Sequence, residues 1–241
     1  MTSETETEVE ETTAPAKSRR WSVWRVFGLG VAVVIATPLL LTVLYAVVPP
    51  VSTLMLADWL TGRQVERQWV SFEEMGTPLV ASVIASEDGK FCRHMGIDLG
   101  ELRASVQEWM DGGRPRGAST ITMQLAKNLF LWPQRSEVRK ALELPLALWL
   151  DLVLSKRRLL EIYLNVAEWA PGVYGAGAGT AHYYTARPDQ LSWRNAALMA
   201  TTLPNPKARN PARPSSRHAR IAGIVEGRAR QGGASIACLG L

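Results

Sequence analysis

The stretch TITMQLAKNLFLW, residues 120–132, has the spacing of an amphipathic helix. Polar residues recur at i, i+4 and i+7, and apolar residues form an opposing stripe: Thr120, Gln124 and Lys127 against Ile121, Leu125 and Leu129. Ser119 precedes the stretch, at the position where a helix N-cap is expected. The polar stripe either faces water or lines a site.

Most of the chain on either side carries similar helical patterns. Residues 77–88 (TPLVASVIASED) fit a helix or a buried strand, and residues 101–113 fit a helix that ends at a pair of glycines. Residues 141–154 (ALELPLALWLDLVL) are apolar nearly all round, which predicts the central helix of the core. Strand-like alternation is scarce, so we expect a mainly α fold.

The N-terminal region predicts a membrane anchor. Residues 26–48 form 23 uncharged residues, enough to cross a hydrocarbon core of about 30 Å as a helix. A cleaved signal peptide is the alternative, but Pro49-Pro50 follows the segment instead of a small-residue cleavage site. Basic residues precede the segment, so the N-terminus should be cytoplasmic and the remainder of the chain outside the cytoplasm.

These patterns divide the chain into five segments. They are a cytoplasmic tail (1–25), a transmembrane helix (26–48), a juxtamembrane segment (49–70), a main folded domain (71–210) and a basic C-terminal tail (211–241). Residues 51–60 predict a short amphipathic helix at the membrane surface with Asp58 on its polar side, or a core helix. The tail should lie on the membrane or be partly disordered.

Charge and cysteine content restrict the partners. From residue 51 onward, 23 Lys and Arg face 17 Asp and Glu, a balance of +6 that suits anionic headgroups or a phosphate-bearing substrate. The predicted side of the membrane argues against nucleic acid. Cys92 and Cys238 could pair, although two free thiols are the expectation, and the three histidines have no metal-ligand spacing.

Two glutamates and a group of cations are the candidates for chemistry. Glu87 follows the apolar stretch LVASVIA, and Glu143 interrupts an apolar helix, where a carboxylate is costly unless it is paired. Arg139 and Lys140 lie one turn before Glu143, so an internal salt bridge is the alternative to catalysis. Paired carboxylates suit glycosyl transfer or hydrolysis, and nearby cations suit a phosphorylated leaving group: Lys127, Arg135, Arg139 and Lys140.

Five segments resemble successive motifs of the peptidoglycan glycosyltransferase family (glycosyltransferase family 51). They are ASEDGKFCRHMGID, RGASTITMQLAKNLFLW, RKALE, SKRRLLEIYLN and GVYGAGAGTAHYY, and the resemblance covers about residues 80–206. With the N-terminal anchor, the chain is most similar to the monofunctional, membrane-anchored biosynthetic transglycosylases of Gram-negative bacteria.

The resemblance implies a single-pass protein of the cell inner membrane with a lysozyme-like, periplasmic glycosyltransferase catalytic domain (71–210). This domain would polymerise lipid II, the undecaprenyl-pyrophosphate-linked disaccharide pentapeptide, into glycan strands, on which the C-terminal tail could lie. In this inverting reaction the 4-hydroxyl of the incoming GlcNAc attacks C1 of the chain's terminal MurNAc, and undecaprenyl pyrophosphate leaves. The expected partners are lipid II, the growing glycan strand and the membrane, and could include other cell-wall synthesis or division proteins. No dedicated cofactor or metal site is predicted, although a divalent cation, Mg²⁺ or Mn²⁺, could assist.

The resemblance also assigns roles. Glu87 matches the general base, and Glu143 matches a second catalytic carboxylate that organises cations or the acceptor. Further residues match substrate-binding positions: Ser119, Thr120 and Gln124 in the cleft, and Lys127, Arg135, Arg139 and Lys140 at the pyrophosphate. Structural roles are expected for two further groups: Asp88, His94 and Asp98 in the loop after Glu87, and Asn165 with the residues around Glu161.

Several positions depart from the family pattern. Met123 stands where relatives usually carry glutamine, which could remove a hydrogen-bonding side chain from the cleft. Pro145 should remove a backbone bond and bend the helix that carries Glu143. A lysozyme-type hydrolase and an inactive membrane-tethered scaffold are the competing functions. A transpeptidase is excluded because the sequence has neither S-x-x-K nor K-T-G.

Overall fold

A computed structural model describes residues 18–113, 117–134 and 136–241. The helices are α1 Ser18–Tyr45, α2 Thr53–Leu60, α3 Thr77–Glu87, α4 Leu99–Met110, α5 Ile121–Phe130, α6 Glu137–Val153, α7 Lys156–Val166, α8 Ala176–Tyr184, α9 Trp193–Ala200, α10 Ser216–Gln231 and α11 Gly233–Ile236. Three short strands, β1 Glu66–Arg67, β2 Glu168–Ala170 and β3 Val173–Tyr174, form one sheet in the order β1-β3-β2. β3 is parallel to β1 and antiparallel to β2.

Helix α1 is long and apolar enough to cross a membrane over Val23–Tyr45, a span of 23 residues. Its large apolar side chains from Val23 onward are mostly exposed, as they would be on a helix whose surroundings are lipid. The helix ends at Tyr45, three residues before the end of the predicted segment. The compact unit that carries the remaining elements begins at Leu40 and extends to Leu241.

Helix α3 is buried through its middle, and it packs against α9 and α10. Leu79, Val83 and Ile84 are fully buried. Of the two structures predicted for residues 77–88, a helix or a buried strand, the helix is the one observed. Because Glu87 is the last residue of α3, the core fixes where this carboxylate lies.

Helix α6 is not the central core helix that the sequence predicted. Its buried residues recur at i, i+4, i+8 and i+11: Arg139, Glu143, Ala147 and Leu150. Leu148 and Leu152 are exposed instead, the latter with 67% of its surface accessible. The prediction was wrong because the high apolar content concealed the fact that the charged residues belong to the inward face.

Helix α2 places Asp58 on its buried side, whereas the sequence predicted this residue on the polar side of an amphipathic helix. The Asp58 carboxylate is buried and accepts a hydrogen bond of 2.7 Å from the Tyr174 hydroxyl. Trp59 and Leu60 point outward, and Leu60 is 87% exposed. The hydrogen bond from Tyr174 on β3 offsets the free-energy cost of burying this carboxylate. Tyr174 lies 116 residues away in sequence, so the local pattern could not reveal the contact.

The C-terminal region is folded, which corrects the prediction of a partly disordered basic tail. Helix α10 packs against α3 and α9, and its buried residues Ala222 and Val225 join Ala197 and Leu198 of α9 in a small cluster. Ser215 caps the helix by accepting a hydrogen bond from the backbone N–H of His218. Arginines on the other helix face concealed this apolar face in the sequence.

The expectation of two free thiols was also wrong. Cys92 and Cys238 form a disulfide with their Cα atoms 5.6 Å apart. The bond joins the loop after α3 to the C-terminal end of the chain. The two positions are separated by 146 residues, so the sequence alone could not show that they meet.

Two contacts explain residues in the fourth and fifth motifs. The Asn165 side chain accepts a hydrogen bond from the backbone N–H of Val70 and donates one to its carbonyl, which confirms the predicted packing role. A Cβ on Gly179 would lie 2.7 Å from Cγ of Trp169, so glycine is needed for α8 to approach this side chain.

Candidate active site

The Glu87 carboxylate lies at the end of α3, half-buried and held by two donors. The Ser86 hydroxyl donates to Oε1 at 2.9 Å, and the Gln124 amide nitrogen donates to Oε2 at 3.1 Å. Burial raises the pKa of Glu87, while both donors lower it. The result is an oriented carboxylate whose affinity for a proton exceeds that of an ordinary glutamate.

The Gln124 amide is itself held by a residue that sequence analysis did not select. The Tyr163 hydroxyl on α7 donates to the Gln124 side-chain oxygen at 3.0 Å. This bond fixes which end of the amide faces Glu87. Tyr163 is buried, and burial raises its pKa well above the ordinary value, so it remains a neutral donor.

The loop after Glu87 is held by the residues for which the sequence predicted this role. Asp88 is buried, accepts from the backbone N–H of Ile121 at 3.0 Å, and lies 2.9 Å from Nε2 of His94. Asp98 caps α4 by accepting from the backbone N–H of Glu101. The structural reading of Asp88, His94 and Asp98 is confirmed, and the Asp88 contact joins α3 to the start of α5.

Thr120, not Ser119, is the N-cap of α5. Its hydroxyl oxygen accepts from the backbone N–H of Met123 at 3.1 Å, and its proton goes to the Gly96 carbonyl. The Ser119 hydroxyl is left free for the cleft and accepts a hydrogen bond of 2.6 Å from Nζ of Lys140. The N-cap therefore lies one residue later than predicted. Because serine and threonine are both suitable N-caps, the local sequence could not decide between the two positions.

Glu143 forms the salt bridges that its spacing predicted. Its Oε1 accepts from Arg139, and its Oε2 accepts from Lys140 at 2.7 Å. Glu143 and Arg139 are buried, and Lys140 continues the network to Ser119. Both carboxylate oxygens thus have a cationic partner, whereas Nε of Arg139 is buried without a hydrogen-bond partner among the described residues.

The ammonium of Lys127 on α5 makes no hydrogen bond or ion pair within the ranges that the structure describes. Burial, followed by the positive charges of Arg139 and Lys140, lowers its pKa. A half-buried cation close to other cations is suited to an anionic ligand. Arg135, the remaining predicted cation, lies outside the described residues.

Two adjoining cavities meet at Glu87. The larger, about 640 Å³, extends over the loop after α3 and the C-terminal helices, and its wall includes Lys90, Glu101 and Arg228. The smaller, about 320 Å³, contains Gln124, Thr201 and Arg209. Glu87 and Ser119 line both cavities, whereas Lys127, Arg139 and Lys140 line neither. Their combined size is within the range of ligand-binding clefts.

Arg209 and Arg228 were missed by the sequence analysis. Both fall in an Arg-rich stretch, and Arg228 lies in the segment predicted as a tail. Nothing in their local spacing separates them from neighbouring arginines. Only the packing of α9 and α10 against α3 brings this part of the chain to the cleft.

Two departures from the family pattern do not disturb the site. Met123 is fully buried with Ile97 and Ala147, so this position faces the core, and the expectation of a hydrogen-bonding side chain lost from the cleft was wrong. Helix α6 continues through Pro145 to Val153, and Pro145 itself is exposed. The ion pairs of Glu143 lie on the opposite, buried face.

The residues at the cationic end of the site do not suit a resident metal. Within the described part of the chain, no three His, Cys, Asp or Glu side chains form a group that could hold a metal ion. The Glu143 carboxylate is already engaged by Arg139 and Lys140. We therefore assign no step to a protein-bound metal.

Comparison with known proteins agrees with this geometry. The family model described as "Transglycosylase" matches residues 54–235. The chain is 54% identical to the "Biosynthetic peptidoglycan transglycosylase" of Mesorhizobium japonicum, covering 92% of this chain and 94% of the relative. Proteins of the same name from Brucella suis and Rhodopseudomonas palustris are 50% and 52% identical, covering 91% and 86% of this chain and 99% and 92% of the relatives.

The match includes α10, which the predicted boundary at residue 210 excluded. The expected mainly α, lysozyme-like domain, preceded by one helix long enough to span a membrane, is confirmed. The chain belongs to the transglycosylase family.

Proposed function

We propose that this chain polymerises lipid II into glycan strands with Glu87 as the general base. The relatives named as biosynthetic peptidoglycan transglycosylases support the reaction class. The observation that carries the assignment of Glu87 is its oriented, half-buried carboxylate at the junction of two cavities. The reaction forms a bond between the GlcNAc O4 of one lipid II and C1 of the terminal MurNAc of the growing chain.

The Glu87 carboxylate takes the proton of the attacking 4-hydroxyl. A base must be ionised before the reaction and basic enough to accept a proton during it. Burial raises the pKa of Glu87 and so increases its basicity, while the bonds from Ser86 and Gln124 favour the charged form. The two donors also fix the direction in which the carboxylate faces.

Undecaprenyl pyrophosphate leaves from C1 as the new bond forms. Pyrophosphate is a good leaving group, so the site must supply positive charge more than a proton. Lys127, which lacks a partner in the described ranges, binds the pyrophosphate in this proposal, and Lys140 adds positive charge beside it. Arg135, outside the described residues, is proposed as a further ligand of the same group. A divalent cation, Mg²⁺ or Mn²⁺, would be held by pyrophosphate oxygens and not by a protein cage.

Glu143 acts as a positioning residue in this proposal. Its carboxylate holds Arg139 and Lys140 on one turn of α6, and Lys140 reaches Ser119 at the edge of the cleft. Its negative charge reduces the repulsion among Lys127, Arg139 and Lys140 before substrate arrives. Thr120 fixes the start of α5, and Gln124 orients the base.

The proposed location is supported by the N-terminal helix and by the disulfide. Helix α1 is long and apolar enough to cross a membrane, which supports its role as an anchor. We propose the inner membrane, with the N-terminus in the cytoplasm and the catalytic domain in the periplasm. The disulfide between Cys92 and Cys238 supports this orientation because disulfides persist in oxidising compartments. Other cell-wall synthesis or division proteins are proposed as further partners.

Polymerisation of labelled lipid II by the detergent-solubilised full-length protein tests the function. We expect long glycan strands that a muramidase degrades to short fragments. A lysozyme-type hydrolase would instead shorten preformed strands, and an inactive scaffold would do neither. Assays with and without Mg²⁺ would show whether a divalent cation contributes.

A further inference from the structure

Arg209 occupies a fixed position beside the proposed base. It lies in the loop after α9, and its guanidinium donates a hydrogen bond to the carbonyl of Thr201, the C-cap residue of α9. The Thr201 hydroxyl lies 2.9 Å from Nε2 of the buried His218 on α10. Two helices of the core therefore hold the residue to which Arg209 is bound.

The guanidinium of Arg209 is half-buried and lines the smaller cavity with Glu87, Ser119 and Gln124. No carboxylate forms an ion pair with it in the part of the chain that the structure describes. Cationic side chains are also favoured at a helix C-terminus, where the helix dipole is negative, and this explains the contact of Arg209 with Thr201. That contact does not neutralise the charge, so its field extends into the cavity.

Charged and titratable groups face Glu87 from several elements. Asp88 follows it on its own chain segment, Tyr163 lies on α7, and Lys127 lies on α5. Asp88 raises the pKa of Glu87, and burial raises it more. The positive charge of Arg209 acts in the opposite direction, with a smaller effect than the hydrogen bonds from Gln124 and Ser86.

We propose that Arg209 is a positioning residue for Glu87. The Arg209 guanidinium, fixed at the end of α9, keeps the Glu87 carboxylate across the cavity in the ionised form that a general base requires. The inference rests on the proposed role of Glu87. Lys127 is committed to the pyrophosphate in that proposal. Arg209 is then the cation assigned to the base itself.

A purely structural role makes a different prediction. If Arg209 only caps α9, its loss would lower stability and reduce the amount of active enzyme equally at every pH. If it holds Glu87 ionised, its loss makes protonation easier. Because the base works only when ionised, activity would then be lost at a higher pH as the solution is acidified.

The test is the pH dependence of lipid II polymerisation by full-length wild type, Arg209→Gln, Arg209→Met and Arg209→Lys. Met keeps the aliphatic volume without the charge, and Lys keeps the charge. Arg213→Gln is the matched control, because Arg213 is an exposed arginine of the same segment. Thermal unfolding of each variant measures any loss of fold.

We expect Arg209→Gln and Arg209→Met to move the acidic limb of the profile to higher pH, so that activity on that limb falls about threefold more than on the plateau. Arg209→Lys should retain most of the wild-type profile, and Arg213→Gln should match wild type. An unshifted limb in the folded variants, whether or not total activity falls, would overturn the proposal. Wild type that makes no polymer would instead overturn the proposed function.

Discussion

Gln124 donates a hydrogen bond of 3.1 Å to Oε2 of Glu87, across 37 residues of sequence. The contact joins the polar stripe of α5 to the last residue of α3. Its direction is set by Tyr163, which donates to the other end of the same amide. A carboxylate at the end of one helix is thus oriented by side chains from two others.

Gln124→Ala should move the acidic limb of the pH–activity profile to higher pH. The Gln124 donor lowers the pKa of Glu87, so its removal favours the protonated and inactive form as pH falls. Activity on that limb should fall about tenfold, the usual effect of a hydrogen bond to a charged group. Lipid II polymerisation across a pH series measures it.

Tyr163→Phe is the graded control for this prediction. It removes only the hydroxyl that orients the Gln124 amide, so the same limb should move in the same direction by less. An unchanged profile in Gln124→Ala would mean that the bond to Glu87 does not affect the reacting carboxylate.

Glu143→Ala should destabilise the protein strongly. It leaves the buried guanidinium of Arg139 without its partner, a change that typically costs about 3–5 kcal/mol. The melting temperature should fall by roughly 10 °C. Glu143→Gln retains an acceptor and should fall between Ala and wild type.

Thermal unfolding in detergent measures these changes. Glu73→Ala is the control, because it breaks an exposed pair with Arg157 and should leave the melting temperature nearly unchanged. Equal melting temperatures for Glu143→Ala and Glu73→Ala would show that the network does not stabilise the fold.

Cys92→Ser should lower stability by about 2–5 kcal/mol, because the disulfide closes a long loop and restricts the unfolded chain. It should also reduce polymerisation, since the bond holds the C-terminal wall of the larger cavity next to the loop after Glu87. Calorimetry and lipid II assays measure the two effects. The double variant with Cys238→Ser should lose no more than the single one, and a larger loss would imply that each cysteine acts separately.

Local patterns predicted the parts of the site that depend on helix spacing. The stripe of α5 placed Gln124 and Lys127 on one face, and the i, i+3 and i, i+4 spacings placed Lys140 and Arg139 beside Glu143. These relationships are set within a few turns of one helix, so sequence is sufficient. The resemblance to the family supplied the roles.

Features that depend on long-range packing could not be predicted in this way. Asp58 is turned inward by Tyr174, and Met123 is turned into the core by Ile97 and Ala147. Arg209 comes to the cleft only because α9 and α10 pack on α3. In each case the deciding partner lies outside the window that a pattern covers.

The most direct measurement of the central claim is the rate of lipid II polymerisation by full-length Glu87→Gln, compared with wild type and with Glu108→Gln. Glu108 is an exposed glutamate on α4 outside both cavities. The account predicts a loss of at least about 100-fold for Glu87→Gln at an unchanged melting temperature, with Glu108→Gln equal to wild type. Polymerisation by folded Glu87→Gln at the wild-type rate would contradict it.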